Sequence, residues 1–484
     1  MPAGEAVSGP VTVGVDVGTT SVKALAVDGN GMVVARARVP HKIIVPEPDV
    51  LEHDARRAWR QGPRRAFTAV VGEVGGRAVG VGAPVAGVAG ASMLPSITAV
   101  DRRGIPLLPG LLYGDARGGW EWCGRTPADK EPGVLTDAPA PGDHSEMPDA
   151  CNFLRWAVDQ APGAAGYWPC QAVLTHALCG IAAMDTATST AYGTLYGRHG
   201  WREDALGSLG IQISQMPAVV PMGEAAGTLP GSDTVVAGGT IDALCDQLVC
   251  DAVEPGDVLA IFGATLVVWI VTDHWVEIPG LVTVPHSVAG RVLVGGPSNA
   301  GALFVDWARA LLRGAGRSGS GERRGDGRDG DPARVPVWLP YLRGERTPFH
   351  DPALRASVHG LDITQGPSAI ERAAYEASGF VIRRMLDRAG LGGRRVVASG
   401  GGSQLEAWMA GVADATGLPV DAVAVPEGAA YGAAFVARVA AGLEPSLAES
   451  RRWARTGRRL APDPAWAREA AVRYLRFEEL GPGT

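Results

Sequence analysis

The sequence predicts an α/β protein of two domains, each a mixed β-sheet flanked by helices, with a cleft between them. Three observations carry that reading. A chain of 484 residues exceeds the usual reach of one hydrophobic core. A unit of apolar strand, small tight turn and apolar strand occurs twice, as "GVDVGTTSVKALAV" near the start and as "GDVLAIFGATLVVWIVTD" from Gly256. Such a repeat implies a duplicated domain. Further on, "RVVAS", "QLEAWMAGVADATG", "VDAVAV" and "EGAAYGAAFVARVAAG" alternate strand with helix, which marks a layer of parallel strands.

In chain order, "VTVGVDV", "SVKALAV" and "MVVARARV" are short, β-branched and separated by Gly-Thr-Thr and Asp-Gly-Asn-Gly, so residues 11–39 read as an antiparallel meander. A helix follows at 54–70, where Gly62-Pro63 should kink or split it. Residues 82–117 alternate apolar segments with the turns "DRRG" and "LPG", and end at "LLYGDARGG". From Thr126 to Asp149 the chain is rich in Pro, Asp and Gly and reads as a long loop or flap. Helical patches centre on "NFLRWAVDQ" and "AVLTHALCGIAAM", and "GRVLVGG" at 290–296 supplies a third extended segment to the second half. The stretch 313–334 is almost all Gly, Arg, Asp and Ser. It buries too little apolar surface to offset its ordering entropy, so a disordered loop is expected, dispensable over about 316–331. A long amphipathic helix at 368–390 carries Ile370, Ala374, Ala377, Val381 and Met385 on its apolar face. The expected organisation is a disordered start at 1–10, a first domain at 11–253, a second at 254–445 and a helical extension at 446–484.

A net charge of -7 lacks the basic excess of a nucleic-acid binder. No apolar run approaches the ~20 residues of a membrane span, and "MPAGEAVSGP" lacks a charged region followed by an apolar core. A cytoplasmic chain is therefore expected, with neither nucleic acid nor membrane among its partners and a homodimer left open. Cys123, Cys151, Cys170, Cys179, Cys245 and Cys250 form no CxxC pair and read as buried, reduced thiols.

The two hairpins carry chemistry as well as structure. A tight Gly18-Thr19-Thr20 turn offers backbone N–H groups and two hydroxyls to an anionic phosphate, while Asp16 supplies a hard carboxylate for hydrated Mg²⁺. Gly263-Ala264-Thr265 repeats the turn, and Gly400-Gly401-Gly402 lies between strand and helix, where backbone can approach a nucleotide closely.

These segments together resemble the FGGY carbohydrate kinases of the actin-like (ribonuclease H-like) ATPase superfamily, with pieces similar to xylulose and gluconate kinases. "DVGTTSVKA" is similar to the first phosphate motif, "VVAGGTIDALCDQLVCDAVEPGDVLAIFGAT" to the catalytic aspartate with the second phosphate segment, and "ASGGGSQLEAWMAGVADATGLPV" with "EGAAYGAAFVA" to the adenosine end. "YLRGERTPFHDPALRA" is similar to the family's Gly-Glu-Arg-Thr-Pro block, and "LLYGDARGG" to its substrate segment, with Tyr113 where Trp is common. The resemblance implies a kinase that closes around ATP and a small sugar or polyol, with Asp242 as general base. It implies that Asp16 holds Mg²⁺ through water and that Gly18, Thr19 and Thr20 meet the phosphates. It also gives Gly263, Ala264, Thr265, Gly400, Gly401, Gly402 and Gln404 to the nucleotide. Lys23 reads either as a phosphate-facing cation or as a solvated strand residue. Asp246 reads as an ordinary first-turn acid. Asp115 and Arg117 follow the substrate segment, where Asp115 is placed to bind sugar hydroxyls. His53, His350 and His359 show no ligand spacing and read as structural.

Two departures from the family pattern bear on function. Met93, Leu94 and Pro95 stand in the substrate-facing run where polar residues are common, which removes donors and acceptors and points to a less hydroxylated, deoxy or cyclic acceptor. Gly-Ala-Thr replaces Gly-Thr-Ser in the second turn, removing one hydroxyl but keeping the backbone donors. The apolar run also fits a second reading, a catalytically idle ATP-binding or regulatory protein of the same fold.

Overall fold

The structure is a computed structural model and describes residues 9–47, 50–77, 85–113, 115, 117, 150–197, 200–288, 290–314, 327–328 and 330–482. Two compact units emerge. One runs to Val249 and takes back Gly428–Trp453; the other comprises Cys250–Glu427 and the chain from Ala454 onward. The expected loop at 126–149 lies outside the described residues.

The first unit is built on strands β1 (Val11–Val17), β2 (Ser21–Val27), β3 (Val33–Pro40), β4 (Val85–Ser92) and β5 (Val235–Ala237). They lie in the order β5-β4-β1-β2-β3, with β1, β2 and β3 antiparallel and β1, β4 and β5 parallel. An edge strand, Ala225–Thr228, closes the sheet antiparallel to β5. The second unit repeats this arrangement with β6 (Asp257–Phe262), β7 (Leu266–Thr272), β8 (Val292–Ser298), β9 (Arg395–Ser399) and β10 (Val420–Val423). Its order is β8-β7-β6-β9-β10, with the same parallel and antiparallel senses, and Thr456–Leu460 is the antiparallel edge. Val282–Pro285 is an extra strand beside β8. The duplication expected from the two hairpins is realised strand for strand.

The alternation of β1 places the site. Val11, Val13, Val15 and Val17 join an apolar cluster with Ala58, Trp59, Ala66 and Val70. The intervening Thr12, Gly14 and Asp16 take the opposite face. There the helix Gly428–Ala440 is seated: the Thr12 hydroxyl donates to the Ala434 carbonyl at 2.8 Å, and a Cβ on Gly14 would meet the Ala430 oxygen at 1.8 Å. The same helix packs on the helix Asp242–Val249, where a Cβ on Gly432 would lie 2.0 Å from the Cys245 oxygen. The small residues of "EGAAYGAAFVA" therefore let one helix lie against both β1 and the segment carrying Asp242. This is why a helix reached through the second half of the chain joins the first unit.

Other elements differ from the sequence reading for local reasons. The helix expected at 54–70 is a π-helix, Arg56–Gln61, running into an α-helix, Gly62–Arg77. Pro63 has no N–H to give to the preceding turn, and the wider turn is closed instead by the Gly62 N–H to the Arg57 carbonyl. The helical pattern of 172–184 stops at Cys179, because Gly180 takes a left-handed φ of 79°, and Ala183–Asp185 form a strand. The extension from 446 is mixed: Leu447–Trp453 is a 3-10 turn, Thr456–Leu460 a strand and Pro464–Leu480 a helix. Most of the Gly-Arg stretch lies outside the described residues, but Arg328 does dock, forming a two-pronged bond to the buried carboxylate of Asp414. Cys170, Cys245 and Cys250 are buried and Cys151 and Cys179 half-buried, and none of these five is in a disulfide among the described residues. Among the described residues no helix is long and apolar enough to cross a membrane.

Gly14→Ala must lift the helix Gly428–Ala440 off β1, and an overpacked core contact of this kind costs ~1–3 kcal/mol. Urea unfolding should show a lower midpoint, and an unchanged midpoint would mean that the helix has room to give.

Candidate active site

The carboxyl end of β4 gathers the chemistry of the first unit. Ala91 and Ser92 pair in parallel with Asp16 and Val17 on one side and with Thr240 and Ile241 on the other. Asp242 begins its helix at the next residue, so Asp16 and Asp242 flank the same strand end, where open α/β sheets bind ligands. Asp242 is half-buried, and its Oδ1 accepts the Ala243 N–H at 2.7 Å. Burial first, and then the charge of Asp16, push the Asp242 carboxyl up to about 6. Burial also raises Asp16, against the opposing pull of Lys23, whose Nζ lies 3.5 Å from Asp16 Oδ2. Lys23 is thus the cross-strand partner of Asp16, and Asp16 Oδ1 has no hydrogen-bond partner among the described residues. Asp246 is buried in the same short helix as Asp242. Burial and the charges of Asp16 and Asp242 drive the Cys170 thiol upward, leaving it inert.

The Gly18-Thr19-Thr20 turn is fixed from behind. The Gly18 N–H donates to the Ser21 carbonyl at 3.1 Å and closes the hairpin. The Gly18 carbonyl faces His41 Nε2 at 3.0 Å, the Thr19 carbonyl faces His53 Nε2 at 2.8 Å, and the Thr20 carbonyl accepts the His41 N–H at 3.0 Å. The Thr19 hydroxyl meets the Tyr113 hydroxyl at 3.1 Å, and Thr20 is exposed. His53 is completely buried, and its Nδ1 accepts the indole N–H of Trp59 at 3.0 Å. The sequence reading took His53 as structural and passed over His41. The one available signal was the pairing of His53 with Trp59 inside a family-like block. Gln171 was missed as well: its Nε2 donates to the Ser92 carbonyl at 3.0 Å, while its Oε1 is buried and has no partner among the described residues.

In the second unit, Gly263, Ala264 and Thr265 form the half-buried turn between β6 and β7. Here the Gly263 and Ala264 carbonyls accept the N–H groups of Ala302 and Leu303, the first residues of the helix Ala302–Gly314, at 2.9 and 3.0 Å. The turn after β9 is tight: Gly400 has φ 85°, and a Cβ there would lie 2.7 Å from the Phe262 oxygen, while one on Gly402 would meet Trp408. Gly401 and Gln404 are exposed on the same turn.

The acceptor candidates are placed unequally. Met93 is 2% exposed and packs in the apolar core of the first unit, and Pro95 is also buried. Leu94 alone of the three is partly exposed. Asp115 Oδ1 accepts the backbone N–H and Nε of Arg117, each at 2.9 Å, and Oδ2 accepts the Leu51 N–H and Arg117 Nη2, each at 2.7 Å. Those bonds fill the roughly four acceptor positions of a carboxylate. Arg117 Nη1 reaches Glu52 at 2.6 Å, and the guanidinium lies over the Trp156 ring.

The model of the FGGY family of carbohydrate kinases matches this chain in both parts, the N-terminal domain over residues 11–241 and the C-terminal domain over residues 258–441. A xylulose kinase of Escherichia coli is 26% identical, covering 90% of this chain and 91% of its own. A glycerol kinase of Cereibacter sphaeroides is 27% identical, covering 96% and 97%. The crystal structure of a xylulose kinase from Rhodospirillum rubrum superposes with a TM-score of 0.73 at 26% identity, covering 97% of this chain and 98% of that one. With both family domains matched along nearly the whole chain and the two-unit α/β fold shared with solved kinases, this chain belongs to the FGGY family of carbohydrate kinases, which are ATP-dependent phosphotransferases.

Proposed function

We propose that this chain transfers the γ-phosphoryl group of ATP to a hydroxyl of a small sugar or polyol, with Asp242 taking the proton of the attacking hydroxyl. The observation that carries the reading is the convergence of Asp16 and Asp242 on the end of β4, with Asp242 held at about 6, close to the working range of a general base. Phosphoryl transfer needs mainly alignment and charge neutralisation, so one carboxylate at the nucleophile and one at the metal are a sufficient pair. The residues fit Mg²⁺. Asp16 Oδ1 is buried and has no hydrogen-bond partner among the described residues, and this ion keeps most of its water while leaning on one or two carboxylates and the substrate phosphates. Bound there through water, it would neutralise phosphate charge.

The first unit, with Gly18, Thr19 and Thr20, handles phosphate and acceptor. The second handles the nucleotide through Gly263, Ala264 and Thr265 and through Gly400, Gly401, Gly402 and Gln404. Lys23 balances Asp16. Asp115 and Arg117 hold their segment against Leu51 and Glu52, which leaves Leu94 as the apolar side of the acceptor position. ADP release measured with ATP and Mg²⁺ across ketoses, aldonates, polyols and cyclitols tests the reading, and no acceptor-dependent release from any of these classes would sink it.

Asp242→Asn should bind ATP normally and lose ~10²-fold or more in turnover, as expected for removing a general base. Turnover within a few-fold of the parent would reject the role. Because the base works only when ionised, kcat/KM for the acceptor should be level above pH 6 and fall about tenfold per unit below it. A flat profile down to pH 5 would place the proton acceptor elsewhere. Asp16→Asn should raise the Mg²⁺ concentration needed for half-maximal activity, and an unchanged metal requirement at full activity would confine Asp16 to pairing with Lys23.

A further inference from the structure

A peptide unit is planar, with its C=O and the following N–H pointing in opposite directions, so whatever pins the carbonyl aims the amide. In the first turn, His41 pins the Gly18 carbonyl and thereby turns out the Thr19 N–H; His53 pins the Thr19 carbonyl and turns out the Thr20 N–H. The amides of Thr19 and Thr20 have no hydrogen-bond partner among the described residues. The second turn shows the same two pinned planes, with Ala302 and Leu303 amides on the Gly263 and Ala264 carbonyls, which turns out the amides of Ala264 and Thr265. A helix N-terminus does in one unit what two imidazoles do in the other.

Both imidazoles are set up as donors. Indole N–H can only donate, so Trp59 leaves His53 Nδ1 as an acceptor and assigns the ring hydrogen to Nε2, facing the Thr19 carbonyl. His41 Nε2 likewise faces a carbonyl that can only accept. The rings meet edge to face at 4.5 Å, and burial keeps both neutral around pH 7. The hairpin closure from Gly18 to Ser21 fixes the feet of the turn and leaves its middle planes to these rings.

We propose that His41, His53 and Trp59 form a positioning device for the first phosphate turn, aiming the Thr19 and Thr20 amides at the phosphate end of the nucleotide. This rests on the kinase reading above, and touches neither the acceptor nor the reacting atoms. His41 and His53 are therefore positioning residues.

The test measures ADP binding by calorimetry, with adenosine, which has no phosphates, as the control. His41→Ala is expected to weaken ADP ~10-fold, the scale of a misdirected hydrogen bond to a charged group, with adenosine affinity unchanged. His41→Gln, whose amide can donate at the same reach, should recover most of the loss. His53→Gln should likewise bind ADP better than His53→Ala, and kcat/KM for ATP should fall while acceptor KM stays. His41 is half-exposed, so its pair of variants decides the matter even where a change at buried His53 prevents folding. Folded His41→Ala that binds ADP within twofold of the parent, or equal losses for ADP and adenosine, would overturn the proposal. A parent protein that binds ADP yet phosphorylates no acceptor overturns the functional reading and leaves this one standing.

Discussion

The site depends on one close contact, the seat of the helix Gly428–Ala440 on β1 at Gly14. No side chain fits between that strand and the Ala430 carbonyl, and none fits between Gly432 and the Cys245 carbonyl. One helix is thus pressed against the strand that ends in Asp16 and against the helix that begins with Asp242. The spacing of the two carboxylates follows from backbone contact on both sides, which is more rigid than packing through flexible side chains. The period of two in "VTVGVDV" does the rest: valines face the apolar cluster, and Thr12, Gly14 and Asp16 face the helix.

Rigidity of this kind has an electrostatic consequence. Burial disfavours the charge on Asp16, and loss of solvent together with the nearby charge of Asp16 disfavours the charge on Asp242, so both are raised above the ordinary carboxylate range. Lys23 offsets part of this at Asp16, and Asp242 sits at a helix N-terminus, where the backbone dipole favours a negative charge. Neither offset is complete. Under the proposed function, a divalent ion held through water at Asp16 would supply the remaining positive charge. The same imbalance raises Asp242 to about 6, which is what the proposed role of proton acceptor would need near neutral pH.

Much of this was readable in the sequence because it is local. The hairpins, the meander of β1, β2 and β3, the Gly400 turn and the parallel β9 and β10 follow from short patterns of β-branched residues and glycine. Gly62-Pro63 marked its break for the same reason. The unread features are those made by distant segments meeting. Nothing in "EGAAYGAAFVA" says which sheet its small face will cover. The hydrogen-bond state of Asp115 depends on Leu51, far away in sequence, and Arg328 finds Asp414 across a stretch whose composition argues for no contact at all. His41 escaped notice, and His53 was read as structural without its partner, because a pinned carbonyl leaves no trace in residue spacing.

The duplication gives the two turns a common geometry and different means of holding it. In the second unit the pins are helix amides, which belong to the backbone and survive most substitutions. In the first they are side chains, so that turn depends on Trp59, His53 and His41 being kept together. A similar distinction applies to the run at 93–95. Met93 lies in the core, and the Ser92 and Met93 carbonyls are occupied by Gln171 and by the Ser96 hydroxyl. The apolar side chain of Met93 thus packs the core at the strand end while its backbone carbonyl is held by Ser96, and the residue type at 93 serves packing. Of the three residues only Leu94 keeps a partly exposed side chain, so under the proposed function the selectivity of this run against hydroxyls would rest on Leu94 and not on Met93 or Pro95.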